Sequence, residues 1–369
     1  MADNRDEDAA RLLHLRGAAL EKGEPLALPL TLASMFHLPG DPEPGVPGYG
    51  RSENPTWGAL EAMLAALDGA PALAFPSGMA AISAALFATL KAGDRLLLPS
   101  DGYYTPRDLA ARFLGPLGVA VETRPTAGFA KGGFDGFRAV LIETPSNPGL
   151  DLVDLAEVTD AVRAAGGISI VDNTTMTAFG QRPLDLGADI LVAADTKAPG
   201  GHSDLLMGHV ATRAPEVLAA MRDWRTLSGS IPGPFEAWLL HRSLETLELR
   251  FDRMCTTAEI LAAHLDAHPA VRDLRFPGLL THPDHALAAR QMRRMGFLIG
   301  FTLDSAEAAE RFIAACPLIE PATSFGGVHT TAERRARWGD DVAPGFVRLS
   351  VGTEPAAALV EAMVAALAV

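Results

Sequence analysis

ISIVDNTTMTAFGQRPLDLGADILVAADTKAPGGHSD, residues 168–204, is the stretch that decides how this chain is read. It holds two short apolar runs, 168–171 and 189–193, each of about strand length and each ending abruptly in polar residues. The first delivers Asp172 at its C-terminal end. The second delivers Thr196 and Lys197, followed at once by a Pro-Gly-Gly turn. In an open parallel sheet, ligands sit just beyond the carboxyl ends of the strands. An acid and a lysine then point into one crevice from neighbouring strands. Taken alone, the two residues also fit a buried ion pair in an ordinary α/β core.

The chemistry that calls for this pair is that of pyridoxal phosphate (PLP). Its aldehyde takes a lysine amine, and a carboxylate keeps its pyridine nitrogen protonated so that the ring can draw electrons. The strings VDNT at 171–174, RPLDLGAD at 182–189 and TK-x-x-GGHSD at 196–204 resemble the Cys/Met-metabolism family of PLP enzymes. The resemblance extends over about residues 45–354. It implies an α/β protein of PLP-dependent transferase fold type I, aspartate aminotransferase-like. The expected parts are an N-terminal arm (1–47), a large, mostly parallel-sheet PLP-binding domain (48–240) and a small C-terminal α/β domain (241–369).

Other motifs line up in chain order. A short helix over DEDAARLLHLRGAAL and a Pro/Gly-rich segment lead into YGRSENPTWGALEAM. The resemblance implies that Tyr49 and Arg51 of this arm reach a neighbouring subunit and bind its cofactor phosphate, a task that suits the forked donors of arginine. Read by themselves, both are surface loop residues. A strand over 72–75 then runs into Ser77-Gly78-Met79 and a helix. Glycine at a helix N-terminus lets backbone N–H groups approach an anion, so Gly78 and Met79 form the expected phosphate cradle. The segment is too short for a nucleotide P-loop, and no GxGxxG is present.

Further roles come from the resemblance. In DGYYT (101–105), Tyr103 is expected to stack on the cofactor ring, with Tyr104 the alternative because the family's Gly-Gly is missing. The cysteine usual after this Tyr in methionine γ-lyases is also absent. In ETPSNP, Asn147 is expected to donate to the ring oxygen; a Pro-bracketed turn asparagine is the plain reading. Near Lys197 the family has a serine where Ala194 stands and a large residue where Ala198 stands, while Thr196 is retained as a phosphate ligand. Weaker or rearranged phosphate contacts are expected. Ser324 matches a turn beside the substrate carboxylate, and Arg348, in an alternating strand within FVRLSVGTE, is the expected bidentate carboxylate anchor. His329 stands where the family often has Glu, and is expected near the distal end of the substrate. Arg334, Arg335 and Arg337 nearby read equally as a solvated face.

Bulk properties exclude other classes. The chain has 369 residues, 48% hydrophobic and 21% charged, which suffices for about two cored domains. A net charge of −14 argues against nucleic acid or an anionic membrane as partner. The acidic N-terminus is unlike a signal peptide and no apolar run reaches membrane length, so a soluble, cytoplasmic protein is expected. Cys255 and Cys316 have no metal or redox spacing, and the His202-x-Asp204 pair is a poor metal site, so no metal is expected.

The implied activity is γ-elimination on a sulfur amino acid: cystathionine to cysteine, 2-oxobutyrate and ammonia. Lys197 serves as base, Asp172 keeps the pyridinium charged, Tyr103 assists proton transfer and Arg348 orients the substrate. The alternatives are γ-replacement on an acylated homoserine (a cystathionine γ-synthase or acylhomoserine sulfhydrylase), then methionine γ-lyase or β-lyase activity. A non-catalytic regulatory protein on the same fold is the remote one. The family also implies a homo-oligomer, a dimer of dimers whose active sites are shared between subunits.

Overall fold

The computed structural model of the chain describes residues 5–369; the first four residues of the expected arm lie outside it. A seven-stranded sheet is made of β1 (Ala72–Phe75), β2 (Arg95–Pro99), β3 (Ala120–Arg124), β4 (Ala139–Glu143), β5 (Ile168–Asp172), β6 (Ile190–Ala193) and β7 (Gly208–Thr212). Their order is β1-β7-β6-β5-β4-β2-β3. All pairings are parallel except those of β7, which runs against both β1 and β6. Strand β1 is therefore parallel to β6, and the carboxyl ends of β1, β2, β4, β5 and β6 open on one edge.

The inner strands are buried on both faces, which is why they read as continuous apolar runs. Successive residues point to opposite faces. Val140, Ile142, Val171 and Leu191 pack on one side with the helix Pro55–Asp68. Leu141, Ile170, Ile190 and Val192 pack on the other with the helix Gly78–Thr89. Leu60 and Glu61 of that first helix serve this packing. Leu60 is fully buried, and Glu61 Oε1 accepts from the Ala74 N–H at 2.9 Å and from Arg225.

A second sheet has the order β10-β11-β12-β9-β8, with β8 (Arg272–Arg275), β9 (Leu298–Thr302), β10 (Glu320–Pro321), β11 (Thr331–Arg334) and β12 (Phe346–Ser350). Strand β12 alternates as the sequence suggests. Val347 and Leu349 face the core of this sheet, yet Arg348 and Ser350 on the other face are buried too.

Past the first sheet the chain runs into two successive helices, Pro234–Leu244 and Leu247–Asp266. Arg250 accounts for the break. Its buried guanidinium donates to the Ser243 carbonyl at 2.7 Å, and to the carbonyls of Ala198 at 2.6 Å and Pro199 at 3.1 Å. The turn after Lys197 is thereby tied to the gap between the helices. Leu247–Asp266 then spans both cores, with Phe251 and Met254 in the first and Leu261 and Leu265 in the second. Among the described residues, no helix is long and apolar enough to cross a membrane.

Candidate active site

The carboxyl ends of the strands and the second sheet enclose a cavity of about 410 Å³. Gly78, Met79, Tyr103, Tyr104, Asn147, Asp172, Thr196, Lys197, Ser324 and Arg348 all line it.

Three chain segments meet at its floor. Ser77 caps the helix Gly78–Thr89 by accepting the Ala80 N–H at 3.1 Å, an arrangement worth about 1 kcal/mol. The Gly78 and Met79 N–H groups have no intrahelical partner and lie at the cavity. A Cβ on Gly78 would come within 2.5 Å of the Ala194 methyl, and one on Gly208 within 2.6 Å of the Gly78 backbone. The glycines let the helix start, the lysine-bearing turn and β7 touch. The turn is clipped to the residue before β7, since the Thr196 N–H donates to the Met207 carbonyl at 3.2 Å and the Met207 N–H to Thr196 Oγ1 at 3.1 Å.

Asp172 ends β5 and is buried. Its Oδ1 accepts the Thr174 N–H at 2.9 Å and the Thr174 hydroxyl at 2.5 Å, and Thr174 Oγ1 in turn accepts the Ala194 N–H at 2.9 Å. Burial raises the Asp172 pKa; the bonds from Thr174 and the charge of Lys197 act against that rise. Glu143 ends β4 alongside it and accepts the Tyr103 N–H at 2.7 Å. Burial first, then the charge of Asp172, pushes Glu143 up to about 8.

Lys197 is held at about 8 by burial and then by Arg348. Its Nζ donates to Ser324 Oγ at 2.7 Å and lies 4.9 Å from the centre of the Phe325 ring. Arg348 donates from Nη1 to Asn147 Oδ1 at 2.5 Å, and from Nη2 to the Ser324 carbonyl at 3.0 Å and to Glu333. Asn147 thus turns its oxygen to Arg348, and its amide nitrogen is the end left to donate. Both candidate tyrosines line the cavity, with rings 5.6 Å apart in an edge-on pair, so the geometry leaves either able to cover a ring.

Three expected site residues lie elsewhere. His329 is exposed and lines an adjoining cavity of about 910 Å³, which shares Thr196, Lys197 and Ser324 with the first. Tyr49 and Arg51 line neither cavity. Arg51 lies 5.7 Å from the Tyr49 ring and donates to the Thr226 carbonyl at 3.0 Å.

The sequence profile described as "Cys/Met metabolism PLP-dependent enzyme" matches residues 19–368. The chain belongs to the Cys/Met metabolism family of PLP-dependent enzymes. A Streptomyces coelicolor protein provisionally named cystathionine γ-lyase is 50% identical over 90% of this chain and 86% of its own length. The cystathionine γ-lyase of Bacillus subtilis is 35% identical over 92% and 94%. A crystal structure of cystathionine γ-synthase from Xanthomonas oryzae pv. oryzae in complex with cystathionine superposes with a TM-score of 0.93 at 33% identity, covering 98% of this chain and 97% of that one. Relatives of similar identity are named L-methionine γ-lyase and cystathionine β-lyase. The fold is therefore fold type I, and the family's cofactor is PLP.

The residues present suit that cofactor. A helix N-terminus stripped of side chain at Gly78 suits a phosphate. At the same edge lie a lysine with a lowered pKa and a buried carboxylate, the donor set that the aldehyde and ring nitrogen require.

Other members of the site carried no sequence signal of their own. Thr174 lies in VDNT and Glu143 opens ETPSNP, but neither residue type at its position marks a role in the site. Buried Glu333 is a counter-ion of Arg348. His209 on β7 is buried between Asp195 and Asp68, at 2.9 and 2.8 Å. Against burial, which would lower it, these carboxylates push His209 up to about 10. The triad braces the lysine turn against the end of the helix Pro55–Asp68.

Proposed function

We propose that this protein is a PLP-dependent lyase that eliminates the γ-substituent of cystathionine, releasing cysteine, 2-oxobutyrate and ammonia. The observation that carries the reading is the convergence of Lys197, Asp172 and Arg348 on one cavity. The 50% identical relative named for this activity supports the choice of substrate. When bound, PLP supplies the electron sink that makes the substrate's α-proton labile.

Lys197 would carry the cofactor, with Gly78, Met79 and Thr196 on its phosphate, Asp172 on its ring nitrogen, Asn147 on its ring oxygen and Tyr103 over its face. Arg348 binds the substrate α-carboxylate. That orients the α-C–H toward Lys197, whose amine, neutral above about pH 8, is the base that takes the proton. Ser324 Oγ, 2.7 Å from Nζ, receives that amine when it is not carrying the cofactor. Glu143 fixes the Tyr103 backbone so that the ring stays at the cavity.

Tyr49 and Arg51 complete the cofactor site of a second copy. The arm is fastened at its base, where Trp238 Nε1 donates to the Leu28 carbonyl at 2.8 Å, while Leu26, Leu32 and Met35 stand exposed. Such side chains favour cover by another subunit, in keeping with a homo-oligomer.

The γ-replacement reading is favoured by the likeness to the Xanthomonas synthase. Incubation with cystathionine, in parallel with O-acylhomoserine plus cysteine, separates the two. The lyase consumes cystathionine alone at a useful rate. Faster formation of cystathionine from the second mixture reverses the assignment.

A further inference from the structure

We propose that Arg335 is a positioning residue for Arg348: it occupies the shared counter-ion Glu333, so that Glu333 holds Arg348 through one nitrogen only and the rest of the guanidinium stays open to a substrate carboxylate. The inference rests on Arg348 being the carboxylate anchor.

Glu333 is buried and unusually crowded. Its Oε1 accepts from Arg348 Nη2, from Arg335 Nη1 at 2.7 Å and from Thr323 Oγ1 at 3.3 Å. Its Oε2 accepts from Trp338 Nε1 at 2.8 Å and from Arg337 Nη2 at 3.4 Å. A carboxylate offers about four acceptor sites, so this one is full. Arg335 is itself buried, lines the cavity and is held by Asp340 through Nε at 2.7 Å and Nη2 at 2.6 Å. Neither the arginine nor the carboxylate can turn away.

Left to itself, a buried carboxylate beside a guanidinium forms two parallel N–H···O bonds. Here only Nη2 of Arg348 touches Glu333, because the short helix Arg335–Trp338 takes the remaining lone pairs. Nη1 is turned to Asn147 at the cavity wall. Loss of Arg335 would let Glu333 form the forked pair and compete with the incoming carboxylate.

The test titrates PLP-loaded protein with L-alanine, which has no leaving group, and with ethylamine, which has no carboxylate, following the visible spectrum. Arg335→Met should weaken L-alanine about tenfold, the scale of one charge-assisted hydrogen bond, and leave ethylamine unmoved. Adding Glu333→Gln to the same chain should recover most of the loss, since an amide cannot neutralise Arg348. Equal losses for both ligands, or no recovery in the double variant, overturn the proposal. Should Arg335→Met fail to fold, Asp340→Asn loosens the same arm and should give a smaller loss, again confined to L-alanine; no selective loss there overturns it too. Arg348→Gln is the reference. If it binds L-alanine normally, the anchor reading fails as well; if it binds weakly while Arg335→Met binds normally, only this inference fails.

Discussion

Lys197 Nζ and Ser324 Oγ share a 2.7 Å hydrogen bond across the two sheets. Ser324 adopts φ 78, a left-handed conformation unusual for a residue with a side chain. Two residues on, a Cβ at Gly326 would lie 2.6 Å from the Ala198 nitrogen, so this turn is pressed against the lysine turn. The small residue at 198 accommodates that approach. The strain at 324 is balanced by what its hydroxyl and carbonyl hold, Lys197 on one side and Arg348 on the other.

Ser324→Gly and Ser324→Ala both remove the hydroxyl, but only glycine relieves the backbone. The alanine variant should be the less stable by about 1 kcal/mol, seen as a lower thermal midpoint, with similar turnover losses in both. A more stable alanine variant would mean the conformation is unstrained.

The lowered Lys197 pKa fixes how cofactor-free protein takes up PLP. Only the neutral amine attacks the aldehyde, so the rate of capture should rise through about pH 8 and level off above it. A midpoint near the ordinary lysine value of 10.5 would show that burial and Arg348 do not act on this amine.

His329 shares its cavity with Lys197, Asp204, Glu236 and Glu320. An imidazole there offers a hydrogen-bonding group to the distal amino-acid end proposed for cystathionine. His329→Ala should raise KM for cystathionine several-fold more than for a short thioether without that group. Equal changes would remove His329 from the distal pocket.

The proposed sharing of sites between subunits predicts complementation. Arg51→Ala and Lys197→Ala chains, each inactive alone, should regain part of the activity when mixed and reassembled. Hybrids verified by mass that stay inactive would place Arg51 outside the neighbour's site.

Much of this was legible because strands β1, β4, β5 and β6 are apolar runs cut off by polar residues that must face the crevice. Strand β7 was not. GHVAT is short, and its antiparallel direction depends on the loop that returns after Lys197. The basic run 334–337 shows a different limit. A solvated face describes exposed Arg337, but Arg335 is buried because Glu333 and Asp340 flank it in space. Spacing along the chain carries no mark of a counter-ion brought in by a turn. His209 was missed for the same reason, since its partner Asp68 ends a helix 141 residues away.

The most direct test of the account is to identify the products that purified, PLP-loaded protein releases from L-cystathionine. Cleavage on the γ side yields 2-oxobutyrate and cysteine, and both should appear in equal amounts, with Lys197→Ala and Arg348→Gln chains producing neither at a comparable rate. Pyruvate and homocysteine in their place, or intact cystathionine after prolonged incubation, would contradict it.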